Sequence, residues 1–379
     1  MKILLVGNFN KDQQFSMQKF TDCLADNLIK HGHEVRVSTP RAIASVFCKA
    51  TVSGGAKWLG YVDKYLFFPI SLKLQAKWAD IVHICDHSNA MYIPYIKHQP
   101  HLVTCHDLMA VRSALGEFRQ NSGVGKSGQL QQKWIVKGLA AANHIASVSG
   151  STQNDLQRFV GSSVDCRVIY NGLNYPFKPM ASQEAQVCLQ SYSITGGSPF
   201  LLHIGGNQWY KNRLGLIKIY AQLIKQAPDS SLKLVLAGKP FSAELRGLIQ
   251  RYGLDNRVIE VTGASTEQLR ALYSLAEAFV FPSIYEGFGW PIIEAMACDT
   301  LVFTSNRAPM NEIGGKAAIY IDPGNTTQAA TTILESLNSP AIIKQAKHHA
   351  PVIIDKFSTD NMVKNYIHYY QHILKQALV

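Results

Sequence analysis

The sequence predicts an α/β protein built from two doubly wound domains with parallel sheets. Apolar runs of strand length alternate with amphipathic helical stretches along the chain, which is the pattern of βαβ units. The alternation passes through two cycles, separated by a stretch rich in proline and glycine. The chain has 379 residues, 47% of them hydrophobic and 17% charged, which suits two domains with ordinary globular cores.

The first cycle begins at the amino terminus with the strand KILLVGNF. A helix is predicted next, because Phe20, Leu24, Leu28 and Ile29 recur at helical spacing, and Gly32 is placed to end it. Further strands are predicted, in order, at HEVRVST, DIVHICD, HLVTCHD, HIASVSG and CRVIYNG. The opening run has no small-residue cleavage site, so we interpret it as the first strand and not as a signal peptide.

The second cycle begins near residue 198 with the strand PFLLHIGG. Its later strands are predicted at LKLVLAG, VIEVTG, AFVFPS, TLVFTS and AAIYID, with helices between them. We place the linker at 174–198, which contains several prolines and has no clear periodicity. The predicted domains are therefore 1–175 and 190–355. The amphipathic tail at about 358–379 has no strand after it, and we assign it to the first domain as a helix that crosses back.

Composition argues against several classes of protein. No run of about 18 apolar residues occurs, so a membrane span is not expected. Seven singly placed cysteines favour a reducing, cytoplasmic compartment and argue against a zinc site. Residues 1–180 hold 20 Lys/Arg and 11 Asp/Glu, a balance of +9, whereas the remainder holds 17 and 15, a balance of +2. That excess suits an anionic membrane surface or a phosphorylated acceptor, or it is a general solubility charge. No recognised nucleic-acid motif occurs, and no nucleic-acid partner is expected.

The segment 57–78 has two interpretations. It mixes four lysines with six aromatic residues in KWLGYVDKYLFFPISLKLQAKW. Such a composition is typical of an interfacial helix or of a loop that grips a lipid-linked acceptor. An amphipathic helix that faces the core of the first domain explains it equally well.

The stretch YEGFGWPIIEA carries the strongest chemical signal. Glu286 and Glu294 stand with seven residues between them, on either side of a glycine turn. A strand ends before this turn, and Pro291 is suited to the first position of the helix that follows. Backbone N–H groups at a helix amino terminus bind anions, and carboxylates bind hydroxyls. This combination fits a sugar nucleotide, which carries both a diphosphate and hydroxyls.

The stretch SIYEGFGWPIIEAMACDTLVFTSNRAPMNEIGGKAAIYIDP resembles the signature of the retaining glycosyltransferases of family 4, which have the GT-B fold. The family's E-x7-E motif matches Glu286 and Glu294. Other segments match too, among them GGNQWYKNR, LVLAGK, VIYNGLN and CHDL, and the likeness spans about Met1 to Asp322. The carboxyl-terminal motifs are highly specific for the family, and the amino-terminal ones are looser. The resemblance implies two Rossmann-like domains that face a central cleft. It also implies that a hexose moves from a nucleotide sugar to a hydroxyl of a saccharide or lipid-linked acceptor.

The resemblance also implies roles for individual residues on the donor side. Glu294 would bind the ribose of the donor and Glu286 would face the sugar, while Lys211 would contact the diphosphate. A fixed cation at that place stabilises the leaving group as its charge grows. The other donor-binding residues implied are Gly206, Asn207, Arg213, Gly287, Phe288 and Gly289. Many members have an arginine where this chain has Asn207, and Arg213 would either replace that arginine or cover the following helix.

On the acceptor side the matches are weaker. His106 matches a family histidine beside the donor sugar, and Asp107 would be its neighbour or cap the next turn. Ser16 and Met17 stand where many members have a glycine pair, and Ser16 is expected to act as an N-cap. Trp290 stands where the family usually has a smaller apolar residue, and it would either narrow the sugar pocket or fill the base of the helix.

The resemblance implies retention of the anomeric configuration, by attack of the acceptor on the face that the leaving phosphate occupies. No D-x-D motif for a divalent cation occurs, so we expect transfer with no metal and no other cofactor. A second hypothesis is another two-domain sugar-nucleotide enzyme, such as an epimerase or phosphorylase, but its acid/base motif or cofactor lysine is not evident. A third is a non-catalytic sugar-nucleotide-binding protein, which would be expected to lose Glu286 or Lys211. The predicted location is the cytoplasm, or the inner face of a membrane.

Overall fold

The computed structural model of the protein describes residues 1–118, 124–161, 164–192, 194 and 198–378. The chain divides into two compact units. The first unit comprises Met1–Asn174 and Thr359–Val379, and the second comprises Tyr175–Ser358. Each unit is built around a parallel sheet, and six strands are described in each sheet.

The first unit has the strand order β2-β1-β3-β4-β5-β6. The strands are β1 (Lys2–Val6), β2 (Glu34–Ser38), β3 (Ile81–Ile84), β4 (His101–Cys105), β5 (His144–Ser147) and β6 (Asp165–Val168). Its helices are α1 (Phe15–Lys30), α2 (Gly54–Val62), α3 (Phe68–Ala76), α4 (Ile93–Ile96), α5 (Met109–Ala114), α6 (Lys126–Ala140) and α7 (Gly150–Val160). A π-helical segment, Asp63–Phe67, joins α2 to α3, so the two form one helical run.

The second unit has the strand order β12-β11-β10-β7-β8-β9. The strands are β7 (Phe200–Gly205), β8 (Lys233–Gly238), β9 (Val258–Thr262), β10 (Ala278–Phe281), β11 (Leu301–Ser305) and β12 (Ala318–Ile321). Its helices are α8 (Ser182–Cys188), α9 (Arg213–Gln226), α10 (Ala243–Arg251), α11 (Thr266–Leu275), α12 (Trp290–Ala297), α13 (Met310–Gly314), α14 (Thr326–Leu337) and α15 (Pro340–Lys356).

Each sheet has one place where the direction of strand addition reverses. In the first unit this switch point lies between β1 and β3, and in the second it lies between β7 and β10. Loops on either side of a switch point part from each other and leave a crevice at the carboxyl ends of the strands, where ligands bind in doubly wound folds. The switch points are therefore the places to look for chemistry in each unit.

The linker prediction is corrected by a helix. Part of the stretch 174–198 forms α8, which packs against α11 and belongs to the second unit. The sequence signal was weak because α8 is only seven residues long and buries little beyond Ala185. Two helices near the carboxyl end, α14 and α15, complete the second unit before the chain returns to the first.

The tail helix, α16 (Thr359–Gln376), packs in the first unit, where it contacts α1. Its buried tyrosines reach the sheet through polar contacts. The hydroxyl of Tyr370 lies 2.6 Å from Nδ1 of His83 on β3, and Nε2 of His83 lies 2.7 Å from Oγ1 of Thr104 on β4. Tyr366 hydrogen-bonds to the same Thr104 hydroxyl at 2.9 Å. Burial lowers the pKa of His83 to about 3, so its ring is neutral.

The first helix follows the predicted pattern with one exception. Phe20, Leu24 and Leu28 are buried, and Gly32 takes a positive φ of 80° after the helix ends. Ile29 is more than half exposed. In the described residues no helix is both long enough and apolar enough to cross a membrane.

Candidate functional site

The switch point of the second unit holds an ion pair. Nζ of Lys211, in the loop after β7, lies 2.8 and 2.9 Å from the two carboxylate oxygens of Glu286, in the loop after β10. Both side chains are largely withdrawn from solvent, with 19% and 10% of their surfaces exposed. A bidentate ammonium–carboxylate pair in this setting is strong but retains one edge toward solvent. The structure therefore brings together two residues that the sequence places 75 positions apart.

The two loops that carry this pair are joined by further hydrogen bonds. The backbone N–H of Ile284 donates to the carbonyl of Tyr210, and the side-chain amide of Asn212 donates to the carbonyl of Pro282. Asn212 adopts a left-handed φ of 56°, which ends the short turn Trp209–Lys211 and starts α9. Nζ of Lys211 also lies 5.2 Å from the centre of the Phe281 ring. These contacts fix the ammonium before any ligand arrives.

The glycine turn leads into α12 as the sequence suggested, with a shift of one position. Gly289 is the N-cap, with a φ of 111° that disfavours any side chain there. Trp290 is the first helical residue and Pro291 the second, so the prediction of Pro291 at the first position is wrong by one residue. Phe288 is buried and its ring contacts those of Trp290 and Phe357. The indole of Trp290 therefore packs partly at the base of the helix.

Glu294 lies one turn into α12, where a tyrosine positions it. The hydroxyl of Tyr273, on α11, donates to one carboxylate oxygen of Glu294 at 2.9 Å. Tyr273 is fully buried, and burial, reinforced by the charge of Glu294, raises the pKa of its phenol. The sequence analysis did not identify Tyr273, since its spacing on α11 is that of an ordinary core residue.

Arg213 is a structural residue of the donor-side loops. Its guanidinium donates to the carbonyls of Lys239 and Ala237, at the end of β8, and to the side-chain oxygen of Asn207. The side chain is almost completely buried, and burial lowers its pKa to about 10. Asn207 in turn donates to the carbonyl of Pro240. These contacts support the loop at the end of β8, a role that differs from both predicted ones, replacement of the family arginine and cover of the following helix. Contact of Arg213 with a diphosphate stays a prediction.

Gly206 lies in the loop after β7. A Cβ added there would approach the side-chain oxygen of Gln208 to 2.3 Å, so a larger residue would require the flexible Gln208 side chain to move. Gly287 precedes Phe288 in the other loop. Both glycines thus border the Lys211–Glu286 pair in the chain.

In the first unit, His106 and Asp107 follow β4. Nε2 of His106 lies 3.0 Å from the carbonyl oxygen of Cys85, to which it donates, and its ring contacts Phe20 at 4.7 Å. Burial lowers the pKa of His106, despite the nearby Asp86 carboxylate. Asp107 accepts a hydrogen bond from the N–H of Met109 and so caps the turn into α5.

The prediction that Ser16 caps the first helix is wrong. The helix begins at Phe15, with Gln14 as the N-cap residue, so Ser16 and Met17 both lie inside its first turn. Ser16 is exposed and Met17 is half-buried. A separate short turn, Asn10–Asp12, precedes the helix, and no side-chain hydrogen bond caps the helix at Gln14.

The switch point of the first unit holds a polar network that the sequence analysis passed over. The buried Asp86 carboxylate accepts hydrogen bonds from the side-chain amide of Asn8, at 2.5 Å, and from the hydroxyl and N–H of Ser88. Nδ1 of His87 lies 3.0 Å from Oδ1 of Asp86, the oxygen that also accepts from the Ser88 N–H. Burial alone would raise the pKa of Asp86, but His87 and Asn8 hold it well below its usual value. The Asp at the end of DIVHICD was the available signal.

No group of three or more His, Cys, Asp or Glu side chains suited to a metal ion occurs among the described residues.

The chain matches two family models that divide it as the units do. The model described as Glycosyltransferase Family 4 matches residues 17–175, and the model described as Glycosyl transferases group 1 matches residues 189–350. Sucrose-phosphate synthase from Thermosynechococcus elongatus has a similar structure, with a TM-score of 0.75 at 20% identity over 99% of this chain and 100% of that one. HepE from Anabaena, solved with UDP and glucose, has a TM-score of 0.73 at 17% identity over 98% and 99%.

Two curated relatives are both named mannosyltransferases. The O-antigen chain mannosyltransferase B of Escherichia coli is 28% identical over 244 residues, which is 63% of each chain and so just under two thirds of that relative. The O-antigen chain mannosyltransferase RfbU of Salmonella typhimurium is 29% identical over 341 residues, 89% of this chain and 85% of the relative.

The two parallel-sheet units and the structural neighbours define the class of the protein, which has the two-domain GT-B fold of glycosyltransferases. The two family models narrow this class to one family. The chain belongs to glycosyltransferase family 4.

Proposed function

We propose that this protein transfers a hexose from a nucleotide diphosphate sugar to a hydroxyl of a saccharide acceptor. The observation that carries the proposal is the Lys211–Glu286 pair, held at the switch point of the second unit beside a glycine turn and a helix amino terminus. Binding of a donor would bring a diphosphate to the ammonium and sugar hydroxyls to the carboxylate. On binding, Lys211 would exchange the Glu286 carboxylate for the diphosphate, and Glu286 would exchange the ammonium for sugar hydroxyls. Neither buried charge would then be left without a polar partner.

In this proposal the three charged groups have separate tasks. Lys211 faces the diphosphate and stabilises the negative charge that grows as the sugar bond breaks. Glu286 and the N–H groups of the glycine turn hold the sugar. Glu294, positioned by Tyr273, accepts hydrogen bonds from the ribose hydroxyls.

The names of the relatives favour mannose as the sugar. Both O-antigen relatives are mannosyltransferases, and we infer that GDP-mannose is the first donor to test, with UDP-sugars second. We infer that the acceptor is a growing polysaccharide, free or carried on a lipid, and that the enzyme works in the cytoplasm. The names of the relatives, which refer to O-antigen chains, support the polysaccharide acceptor.

Retention and metal independence complete the proposal. The acceptor would attack from the face of the leaving phosphate, and that phosphate would take the acceptor's proton. The Lys211 ammonium supports metal independence, because it supplies the cation that other nucleotide-sugar enzymes take from a metal. Transfer is expected to continue at full rate in EDTA, and NMR of the product is expected to give the same anomeric configuration as the donor. An inverted product would contradict the mechanism.

A ligand panel and a transfer assay test the proposal together. Thermal unfolding is measured with GDP, UDP, ADP, GDP-mannose and UDP-glucose, and a shift with one base alone identifies the donor. Transfer is then measured with that donor and a mannose-terminated oligosaccharide. Binding of the donor with isomerisation of the sugar would instead support an epimerase, and binding with no reaction of any acceptor would support a non-catalytic protein. No thermal shift with any compound would contradict the proposed site.

A further inference from the structure

The helical run 54–76 of the first unit presents an apolar face to solvent. Trp58, Leu59, Val62, Leu66, Ile70 and Leu74 are each between 37% and 65% exposed. They recur at helical spacing along a run of 23 residues, which is about 34 Å long. A helix at a protein surface normally shows polar residues on this side.

The opposite face of the same run already belongs to the core. Phe68, Leu72 and Ala76 are buried there, and Tyr65 packs against it. The interpretation of 57–78 as a helix that faces the core is thus correct for one face only. The burial of that face leaves the exposed apolar residues without an explanation in the packing of the first unit.

A loop beside the helix adds to this surface. Phe47 is 99% exposed, and Ile43 and Val46 are each more than half exposed. Ile43 lines a common cavity with Phe67 of the helical run, and the loop backbone is bonded to Asp63 of that run, so the exposed apolar residues of the loop lie beside the helix. We call this surface, formed by the loop 43–47 and the helix face from Trp58 to Leu74, the apolar ridge.

The loop is held in place by buried polar contacts. The fully buried carboxylate of Asp63 accepts hydrogen bonds from the N–H groups of Ile43, Ala44 and Ser45, and from the hydroxyl of Ser45. Nζ of Lys11 donates to the carbonyls of Ser45, Val46 and Cys48. Both charges act on the backbone of the loop, so the exposure of Phe47 is a built feature of the fold.

The segment that carries the ridge has an excess of positive charge. The segment 41–78 contains six cations, Arg41, Lys49, Lys57, Lys64, Lys73 and Lys77, and its one acid is Asp63. Asp63 is buried, whereas Arg41, Lys49, Lys73 and Lys77 are exposed. An exposed apolar stripe flanked by lysines matches an anionic lipid surface, where apolar side chains enter the interface and cations meet headgroups.

We propose that the apolar ridge docks the first unit on an anionic lipid bilayer, with Phe47 and the outward face of 54–76 in the interface. Such docking would hold the enzyme beside a lipid-linked acceptor, and in this respect it rests on the proposed function. The docking itself depends only on the ridge and its flanking cations. A second copy of the chain or a protein partner on the ridge is the competing occupant.

Vesicle sedimentation of the full chain tests the docking. Vesicles of phosphatidylcholine alone are compared with vesicles containing a quarter phosphatidylglycerol, at low and high salt. We expect the chain to sediment with the anionic vesicles at low salt and to be released as salt rises. No sedimentation with anionic vesicles at low salt would overturn the proposal.

Two matched variants test whether vesicle binding depends on the apolar ridge or on exposed apolar residues in general. The triple variant Phe47→Ser, Leu66→Ser, Ile70→Ser is expected to lower the partition coefficient tenfold or more, about what the loss of three interfacial apolar side chains implies. The control is Val187→Ser, Ile342→Ser, Val352→Ser, which removes exposed apolar residues of the second unit. The control is expected to sediment as the wild type does. Equal loss in both variants would overturn the role of the ridge.

Two further measurements keep the outcomes distinct. Thermal shifts with nucleoside diphosphates are expected to be unchanged in the triple variant, so a failed docking and a failed donor site give different results. Light scattering reports the oligomeric state. A wild-type dimer that becomes monomeric in the triple variant, with no vesicle binding in either, would overturn the docking in favour of a second copy.

Discussion

At its switch point the second unit holds the Lys211–Glu286 ion pair, whereas the first unit holds the Asp86 carboxylate, which accepts hydrogen bonds from Asn8 and Ser88 and lies 3.0 Å from Nδ1 of His87. Both sites stand at the carboxyl ends of parallel strands where the strand order reverses. They differ in whether their charged groups are available to bind a ligand. Lys211 and Glu286 are joined to each other, so each can exchange its partner for a ligand group. Asp86 already accepts bonds at both oxygens, so it acts as a scaffold for the loops around it.

The comparison predicts that substitutions of Lys211 and Glu286 have the largest effect on the rate of transfer. Lys211→Met is expected to lower kcat by about 100-fold to 1000-fold, because the cation that stabilises the leaving group is lost. Glu286→Ala is expected to abolish transfer with nucleotide binding retained. Lys218→Met, at an exposed position of α9, is the control and should leave kcat unchanged. Steady-state rates with the identified donor measure the effect, and a tenfold or smaller loss in Lys211→Met would contradict its role.

Substitution of Asp86, which holds the loops of the first unit together, is expected to lower stability. Asp86→Asn is expected to lower the free energy of unfolding by about 2 kcal/mol, because it removes a buried, charged hydrogen-bond acceptor. Asp107→Asn is the matched control, since Asp107 follows the next strand of the sheet and caps a single N–H. It is expected to cost little, because the side-chain oxygen of Asn can still accept the hydrogen bond from the Met109 N–H. Denaturant titrations followed by circular dichroism compare the two variants.

The stability cost of Asp86→Asn is expected to depend on pH. The Asp86 charge, although burial opposes it, raises the pKa of His87, so the pair stabilises the fold at low pH and this contribution is lost as pH rises through the raised pKa. The lowered pKa of Asp86 adds stability that is lost only in strong acid. The cost of Asp86→Asn is therefore expected to be larger at pH 5.5 than at pH 8.5. An equal cost at both values would show that His87 is uncharged in the wild type.

A smaller effect on affinity is expected at the ribose side of the donor site. Glu294→Gln is expected to weaken nucleoside diphosphate binding about tenfold, since it removes a charged acceptor of hydrogen bonds. Tyr273→Phe should have a weaker effect in the same direction, because Glu294 remains but loses the hydroxyl that positions it. Glu335→Gln, on the exposed side of α14, is the control. Calorimetric titration measures the three dissociation constants, and a loss of transfer with unchanged affinity would contradict the assignment.

The sequence predicted the sheets well because buried parallel strands read as short apolar runs between amphipathic helices. It predicted Glu286, Glu294 and Lys211 from a local motif and a resemblance. It could not place the ammonium of Lys211 on the carboxylate of Glu286, because that contact depends on β7 and β10 being neighbours in the sheet.

The sequence analysis missed other features for related reasons. The helix α8 is short and stands among prolines, and Ser16 was assigned by its side-chain preference although the helix starts before it. Asn8 and Asp86 are 78 positions apart, and only the pairing of β1 with β3 brings them together. The exposed face of 54–76 could be suspected from composition, but its exposure is a property of the packing.

The smallest expected effect concerns the attachment of α16 to the first sheet. Tyr370→Phe is expected to lower the free energy of unfolding by about 1 kcal/mol, because Nδ1 of the buried His83 loses its partner. Tyr95→Phe, at an exposed position, is the control and should cost almost nothing. Hydrogen exchange is expected to speed up in α16 before the rest of the first unit, because this contact is one of those that join the helix to the sheet.

Acid should weaken the same attachment in the wild type. The pKa of His83 is about 3 in the fold, whereas an exposed histidine has a pKa of about 6.5, so the unfolded chain binds more protons between these values. Stability is therefore present above pH 6.5 and falls as pH is lowered toward 3. Since both the wild type and Tyr370→Phe bury the His83 ring, both should show this fall, and the difference between them at pH 7 to 9 should be constant. A difference that vanished in this range would mean that the Tyr370 hydroxyl does not hold α16 to the sheet.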